Sequence, residues 1–167
     1  IHEGRPDATF LVPLVTRATR EHFDEVRHRL GFDGLPITLL YGHAGDALKA
    51  ADVGIVASGT ATLEAALARC PHVIYYRVAP LTAWIVGRKL RVPWVGLPNV
   101  LAGRFVVPEF LQDDATPENL AQALGNLLVD GQVRAASGRV FASIHRLLRQ
   151  DTAQKAADAV LPYLKKA

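Results

Sequence analysis

Ser58, Gly59, Thr60 and Glu64 are the residues whose types and spacing first suggest chemistry. They lie in Ala57-Ser58-Gly59-Thr60-Ala61-Thr62-Leu63-Glu64, where the apolar run from Val53 to Ala57 gives way to a helical pattern. A parallel α/β sheet binds ligands at the carboxyl ends of its strands. Glycine at such a turn lets a ligand approach the backbone, and the first N–H groups of the helix point at an anion there. Ser58, Thr60 and Thr62 add hydroxyls. The turn is neither a GxGxxG fingerprint nor a P-loop, so an ordinary capped strand-to-helix turn stays open beside the anion reading.

Glu64 is the only charged residue between Asp52 and Arg69. A capping box would put an acid three residues after its cap, but Ala61 follows Ser58 at that distance and Leu63 follows Thr60. A carboxylate near a helix N-terminus can accept two hydrogen bonds from a vicinal diol such as that of ribose. A surface glutamate is the alternative.

A second group follows in Leu97-Pro98-Asn99-Val100-Leu101-Ala102-Gly103-Arg104, read as a loop. Asn99 offers both a donor and an acceptor, and Arg104 a planar fork for phosphate. Glu109 and Gln112 stand at i, i+3 on an expected helix, Val107 to Gln112, and so on one face. Amide, guanidinium and carboxylate within one short segment suit a phosphorylated sugar; an Asn-capped loop with an exposed Arg is the plainer reading. The segment Pro80 to Leu90 is apolar along most of its length and ends in Arg88 and Lys89. Trp84 beside those cations suits a bilayer interface, and a buried core helix with a charged end competes with it.

Other candidates carry less. His43 and Asp46 lie three apart without further ligands nearby, so no metal site is expected. Ser58 is not in a GxSxG elbow, and Cys70 reads as a small buried hydrophobe.

The elements that must position these residues alternate. Expected strands are Thr9–Val12, Ile37–Tyr41, Val53–Ala57, Val73–Tyr76 and Val92–Leu97. Expected helices between them are Arg17–Leu30, Ala44–Ala51, Thr60–Arg69 and Pro80–Leu90. Apolar strands separated by helices imply a Rossmann-like parallel sheet with helices on both faces. From Val107 the pattern is helical only: Val107–Gln112, Pro117–Val129 behind the cap Thr116, Arg134–Arg149 and Ala153–Lys165. The fold expected is one α/β domain over residues 1–167 with a helical C-terminal extension.

Half of the 167 residues are apolar and 21% are charged, which is the composition of a globular domain. No apolar run reaches the roughly 18 residues that a membrane-spanning helix needs. Methionine is absent and the start lacks a signal-peptide pattern, so the chain is expected to be part of something longer. One cysteine excludes a disulfide framework and points to a reducing, cytoplasmic compartment. The net charge of +3 is unevenly spread. No Asp or Glu occurs between Ala65 and Pro108, and the tail from Gly131 is rich in Arg and Lys. Such fields attract anions, although a solvated basic face remains the simple reading of the tail. Without interleaved aromatic residues the tail does not read as a nucleic-acid binder.

Taken together, the blocks Phe10-Leu11-Val12-Pro13-Leu14, Ala51-Asp52-Val53, Ala57 to Glu64, Tyr76-Arg77, Leu97 to Arg104 and Pro108-Glu109-Phe110-Leu111-Gln112 resemble the lipid-A-disaccharide synthase family. The resemblance runs in order over nearly the whole chain. It implies the C-terminal, UDP-sugar-binding domain of a GT-B glycosyltransferase, incomplete at its N-terminus. It further implies transfer of 2,3-diacylglucosamine from its UDP donor to 2,3-diacylglucosamine 1-phosphate, with inversion, giving the β-1,6 disaccharide and UDP.

Ser58, Gly59 and Thr60 would approach the diphosphate and Glu64 the ribose, with Asn99, Arg104, Glu109 and Gln112 lining the donor side. No metal and no cofactor is called for. The implied setting is the cytoplasmic face of the inner membrane, touched through Trp84, Arg88 and Lys89; a homodimer is left open. The family's Gly-Ser-Arg loop and its acceptor domain, with the general base, lie outside residues 1–167, so these residues alone are expected to be inactive. Two other readings stand beside this one. The first is another GT-B UDP-sugar enzyme, an N-acetylglucosaminyltransferase or a UDP-sugar 2-epimerase. The second is a non-catalytic membrane-surface module that binds anions.

Overall fold

The computed structural model describes residues 1–79 and 93–164. The expected helix Pro80–Leu90, with Trp84, Arg88 and Lys89, falls outside the described residues, as does Lys165 at the expected end of the last helix.

The chain opens with β1 (Phe10–Leu14), α1 (Arg17–Arg29) and β2 (Ile37–Tyr41). The two strands pair in parallel, from Phe10 opposite Ile37 to Leu14 opposite Tyr41. β1 runs through Pro13, where the sequence pattern suggested a stop. The Phe10 N–H donates to the Pro36 carbonyl, and the Leu14 carbonyl accepts from Gly42. Residues 10, 12 and 14 therefore bond toward β2, and Leu11 and Pro13 face the opposite edge. Proline tolerates that edge because no ladder donor is lost there. Thr16 and Thr19 start α1 with a reciprocal capping box, and Gly31 at φ 72° follows its last turn.

A second sheet follows, built from β3 (Gly54–Ala57), β4 (His72–Tyr76) and β5 (Glu109–Leu111), all parallel with β4 in the middle. α2 (Ala44–Ala50) leads into β3, and α3 (Thr60–Leu67) connects β3 to β4. α4 (Leu97–Ala102) precedes β5, and α5 (Pro117–Val129), α6 (Gly131–Leu148) and α7 (Thr152–Leu164) complete the described chain. Successive residues of a strand face opposite sides. Ile74 accordingly joins Ala66 of α3, Val107, and Phe141 and Ile144 of α6 in one buried layer. Val73 joins Leu124 and Leu127 of α5 in the other. The sheet is thus covered on both faces, as a parallel sheet requires.

Three expectations are corrected here. Residues 93–96 form no strand, and Leu97 begins α4 where a loop was expected. Pro98 fits the first turn of that helix, where its missing N–H is not needed, and Gly103 at φ 63° ends it in the left-handed conformation. Val107–Gln112 is not a helix: Glu109–Leu111 is strand, and a 3-10 turn, Gln112–Asp114, follows. The Pro108 carbonyl accepts from the Ile74 N–H at 2.8 Å, so pairing with the buried central strand overrides the local helix signal of the proline.

Candidate functional site

β3, β4 and β5 end side by side at Ala57, Tyr76 and Leu111. The segments that leave this carboxyl edge bring together residues far apart in sequence. After β3, Ser58 is half-buried, while Gly59 and Thr60 are exposed. The Ser58 N–H donates to the Tyr75 carbonyl (2.9 Å), and its Oγ donates to the Val95 carbonyl (3.3 Å). Gly59, at φ 151° and ψ −163°, is the cap of α3 and offers it no side chain. That backbone conformation belongs to glycine. A Cβ placed there would meet no atom of the described residues within 4 Å, so none of them fills the space before the turn. Thr62, fully buried, donates its Oγ1 to the Gly59 carbonyl at 2.7 Å and fixes the turn from below.

Because Gly59 is the cap, Thr60 is the first residue of α3 and Glu64 its fifth. Glu64 is exposed, with no hydrogen-bond or ion-pair partner among the described residues. Its carboxylate is free to accept bonds from a ligand.

Asn99 and Glu109 are bonded to each other and to backbone groups around them. Asn99 is completely buried. Its Nδ2 donates to the Val107 carbonyl (2.8 Å) and to Glu109 Oε1 (2.7 Å). Its Oδ1 accepts from the N–H groups of Val106 and Val107, both at 2.8 Å. All four hydrogen-bonding positions of the amide are therefore used within the protein. The Glu109 carboxylate also accepts from the N–H groups of Val95 and Gly96, each at 2.9 Å. Glu109 thus ties the Val95–Gly96 loop to β5 and α4, and Ser58 rests on that loop.

Gly96 is buried with Ile74 and Glu109 so close that a Cβ would collide with both. Gln112 clamps a third segment. Its amide donates to the Val78 carbonyl (2.9 Å) and accepts from the Val78 N–H (2.8 Å), extending the β4–β5 pairing by side chain. Glu109 and Gln112, expected on one helix face, instead act on different loops.

Arg104 stands apart. It follows the cap Gly103, is exposed, and lines a groove between α4 and α6. The sequence did not single out Val78, Val95 or Gly96. They act through backbone groups, and only the glycine before Leu97 hinted at a close approach.

Behind the site, burial pushes the Cys70 thiol up to about 11, with Asp52 adding to the shift. His72, also buried, donates its Nδ1–H to the Cys70 carbonyl (2.8 Å). Its ring stacks on Phe141 with centroids 5.7 Å apart. Burial lowers its pKa. His43 and Asp46 form a hydrogen bond of 3.2 Å on the surface at the start of α2, which holds the Asp46 carboxyl below its ordinary value. No helix among the described residues is long and apolar enough to cross a membrane.

The model of the lipid-A-disaccharide synthetase family matches residues 1–161. The lipid-A-disaccharide synthase of Dechloromonas aromatica is 55% identical over 95% of this chain and 42% of its own. That of Aromatoleum aromaticum is 52% identical over 99% of this chain and 42% of its own. That of Pseudomonas savastanoi pv. phaseolicola is 49% identical over 96% and 40%, respectively. The chain therefore spans about 42% of the length of the first two. With a parallel α/β architecture consistent with part of a GT-B domain and a match along nearly its whole length, the chain belongs to the lipid-A-disaccharide synthetase family.

Proposed function

We propose that residues 1–167 are the nucleotide-sugar-binding part of a glycosyltransferase that makes the lipid A disaccharide. The donor is UDP-2,3-diacylglucosamine and the acceptor 2,3-diacylglucosamine 1-phosphate. The observation that carries the reading is the open turn Ser58–Gly59–Thr60 at the carboxyl edge of a parallel sheet, in a chain of this family. In the reaction, the acceptor hydroxyl oxygen attacks the anomeric carbon and the bond from that carbon to the diphosphate breaks. Its proton passes to a base outside these residues, and the leaving electron pair settles on UDP. Charge thus grows on the diphosphate, where the N–H groups of the first turn of α3 and the Thr60 hydroxyl stabilise it without a metal, while Ser58 anchors the turn through its bond to the Val95 carbonyl. Glu64 accepts from the ribose diol, and Arg104, which stands apart from the turn, adds positive charge on the donor side. Asn99, Glu109 and Gln112 serve the donor indirectly, by holding the loops around the cradle. The acylated substrates place the protein at the cytoplasmic face of the inner membrane, with Trp84, Arg88 and Lys89 as its contacts.

UDP titration of the whole protein tests this. At a hundred times its dissociation constant a ligand adds about 2.7 kcal/mol of stability, which raises Tm by about 5–10 °C in a domain of this size. UDP is expected to give such a shift, and Glu64→Ala to remove most of it. A protein whose Tm ignores UDP, or a Glu64→Ala variant that keeps the full shift, overturns the reading.

A further inference from the structure

The groove between α4 and α6 occupies about 660 Å³ and is unlike the cradle at the sheet edge. Its walls are Leu101, Val140, Ile144 and Leu147, and its lining side chains include two arginines, Arg104 and Arg139, and no acid. Neither guanidinium has an ion-pair or hydrogen-bond partner among the described residues. Among the described residues, the positions that would fill the groove are small. Ala102 lies on the α4 side, and Ala136 and Ser143 on the α6 side.

The α6 positions 136, 139, 140, 143 and 147 recur at helical spacing, so they form one stripe beside the Phe141–Ile144 core face. From 136 to 147 that stripe is about 16 Å long. Phe105, next to Arg104, is 60% exposed, and Leu147 is 54% exposed. Two guanidinium groups beside an apolar trough fit one class of ligand: a fatty acyl chain joined to a phosphate.

We propose that this groove docks an anionic membrane lipid, the acyl chain lying along the α6 stripe and the headgroup phosphate meeting Arg104 and Arg139. Arg139 has no part in the nucleotide reading, so the test rests on it. A bilayer of that charge attracts a nearby cation by an amount worth about a five-fold change in binding per residue.

Co-sedimentation of the whole protein with vesicles of phosphatidylcholine and phosphatidylglycerol, against phosphatidylcholine alone, measures the binding. Preference for the anionic vesicles is expected. Arg139→Ala lowers binding about five-fold, Arg104→Ala with Arg139→Ala about 25-fold, and Arg139→Lys restores most of the loss. Leu147→Asp lowers the preference at least as far as Arg139→Ala does, while leaving Tm near that of the unaltered protein. The UDP-induced Tm shift is unchanged in Arg139→Ala and in Leu147→Asp, and Glu64→Ala binds vesicles normally, so the lipid and nucleotide readings fail separately. Normal vesicle binding by both Arg139→Ala and Leu147→Asp overturns the proposal. So does an effect of these substitutions on self-association alone, which would assign the groove to a second copy of the chain, with Asp151 and Asp158 of its α7 facing the arginines.

Discussion

The two sheets share their strand direction and their apolar character, yet they differ in how well they are covered. In β3–β4–β5, the first three residues of the central strand are buried, and helices seal both faces. In β1–β2 no residue is fully buried, and Leu11 is 37% exposed although α1 and α2 both pack on β1. The edge of β1 away from β2 bears the backbone groups of Leu11 and the nitrogen of Pro13 that cannot donate. β3, with Ile55 at 51% exposure, is likewise paired on one side only. Burial is thus concentrated around β4, and the candidate site grows from the ends of that well-covered sheet. Rigid strand ends hold the cradle, and the less covered pair contributes little to it.

The largest expected effect tests that contrast directly. Phe141 is 1% exposed, closes the α6 side of the sheet and stacks on His72. Truncating such a ring costs about 3–5 kcal/mol, transfer and cavity together. Phe141→Ala should therefore take a large part of the stability of a single domain, whereas Leu11→Ala in β1 should cost only about 1 kcal/mol. Urea denaturation of the two variants measures both. Equal losses would mean that β1–β2 is as much a part of the cooperative core as β4, and the contrast would fail.

A smaller effect is expected where the core becomes the site. Asn99→Ala strips acceptors from the N–H groups of Val106 and Val107 and a donor from the Val107 carbonyl, the Val107 pair in a buried setting and Val106 in a part-buried one. Unpaired buried groups cost about 1–3 kcal/mol each, and partial relaxation brings the sum to about 2–4 kcal/mol. Losing the Asn99 bond to Glu109 should also loosen the carboxylate that holds the Val95–Gly96 loop, and with it Ser58, so UDP binding should weaken beyond what the loss of stability accounts for. A variant with lowered Tm and intact UDP affinity would separate the frame from the cradle.

This frame was the part least legible in the sequence. β2 and α5 keep their expected bounds, because alternation, a threonine cap and helical spacing are local signals. The Ser58 turn was legible for the same reason: strand, glycine and helix follow one another. Leu97 to Gln112 was not. Its helix looked like a loop because Pro98 and Asn99 are turn residues, and its strand looked like a helix because Pro108 suits a first turn. What decided both was distant: the Ile74 N–H donates to the Pro108 carbonyl, and Gln112 reaches Val78, 34 residues away. Asn99 and Glu109 were read as ligand groups from their chemistry alone. Only the structure shows that the Asn99 amide is already saturated.

The smallest effect concerns pH and again favours one sheet over the other. His72 is 2% exposed at the start of β4, and its Nε2 has no partner among the described residues. Burial lowers its pKa in the folded protein below the ordinary value of about 6.5 that it regains on unfolding. Above pH 6.5 both states are neutral at this residue and stability is at its plateau. As pH falls below that value, the unfolded chain binds a proton that the folded one refuses, and stability is lost until the folded pKa is reached. One proton limits the slope to about 1.4 kcal/mol per pH unit. His43, by contrast, is exposed and bonded to Asp46 outside both layers. Urea titrations at pH 7.5 and 5.5 should show the loss in the unaltered protein, and His72→Phe should flatten it by up to that slope. If His72→Phe leaves the pH dependence unchanged while a His43 substitution removes it, the acid-sensitive group lies outside the buried sheet, and β4 is more open to water than its burial implies.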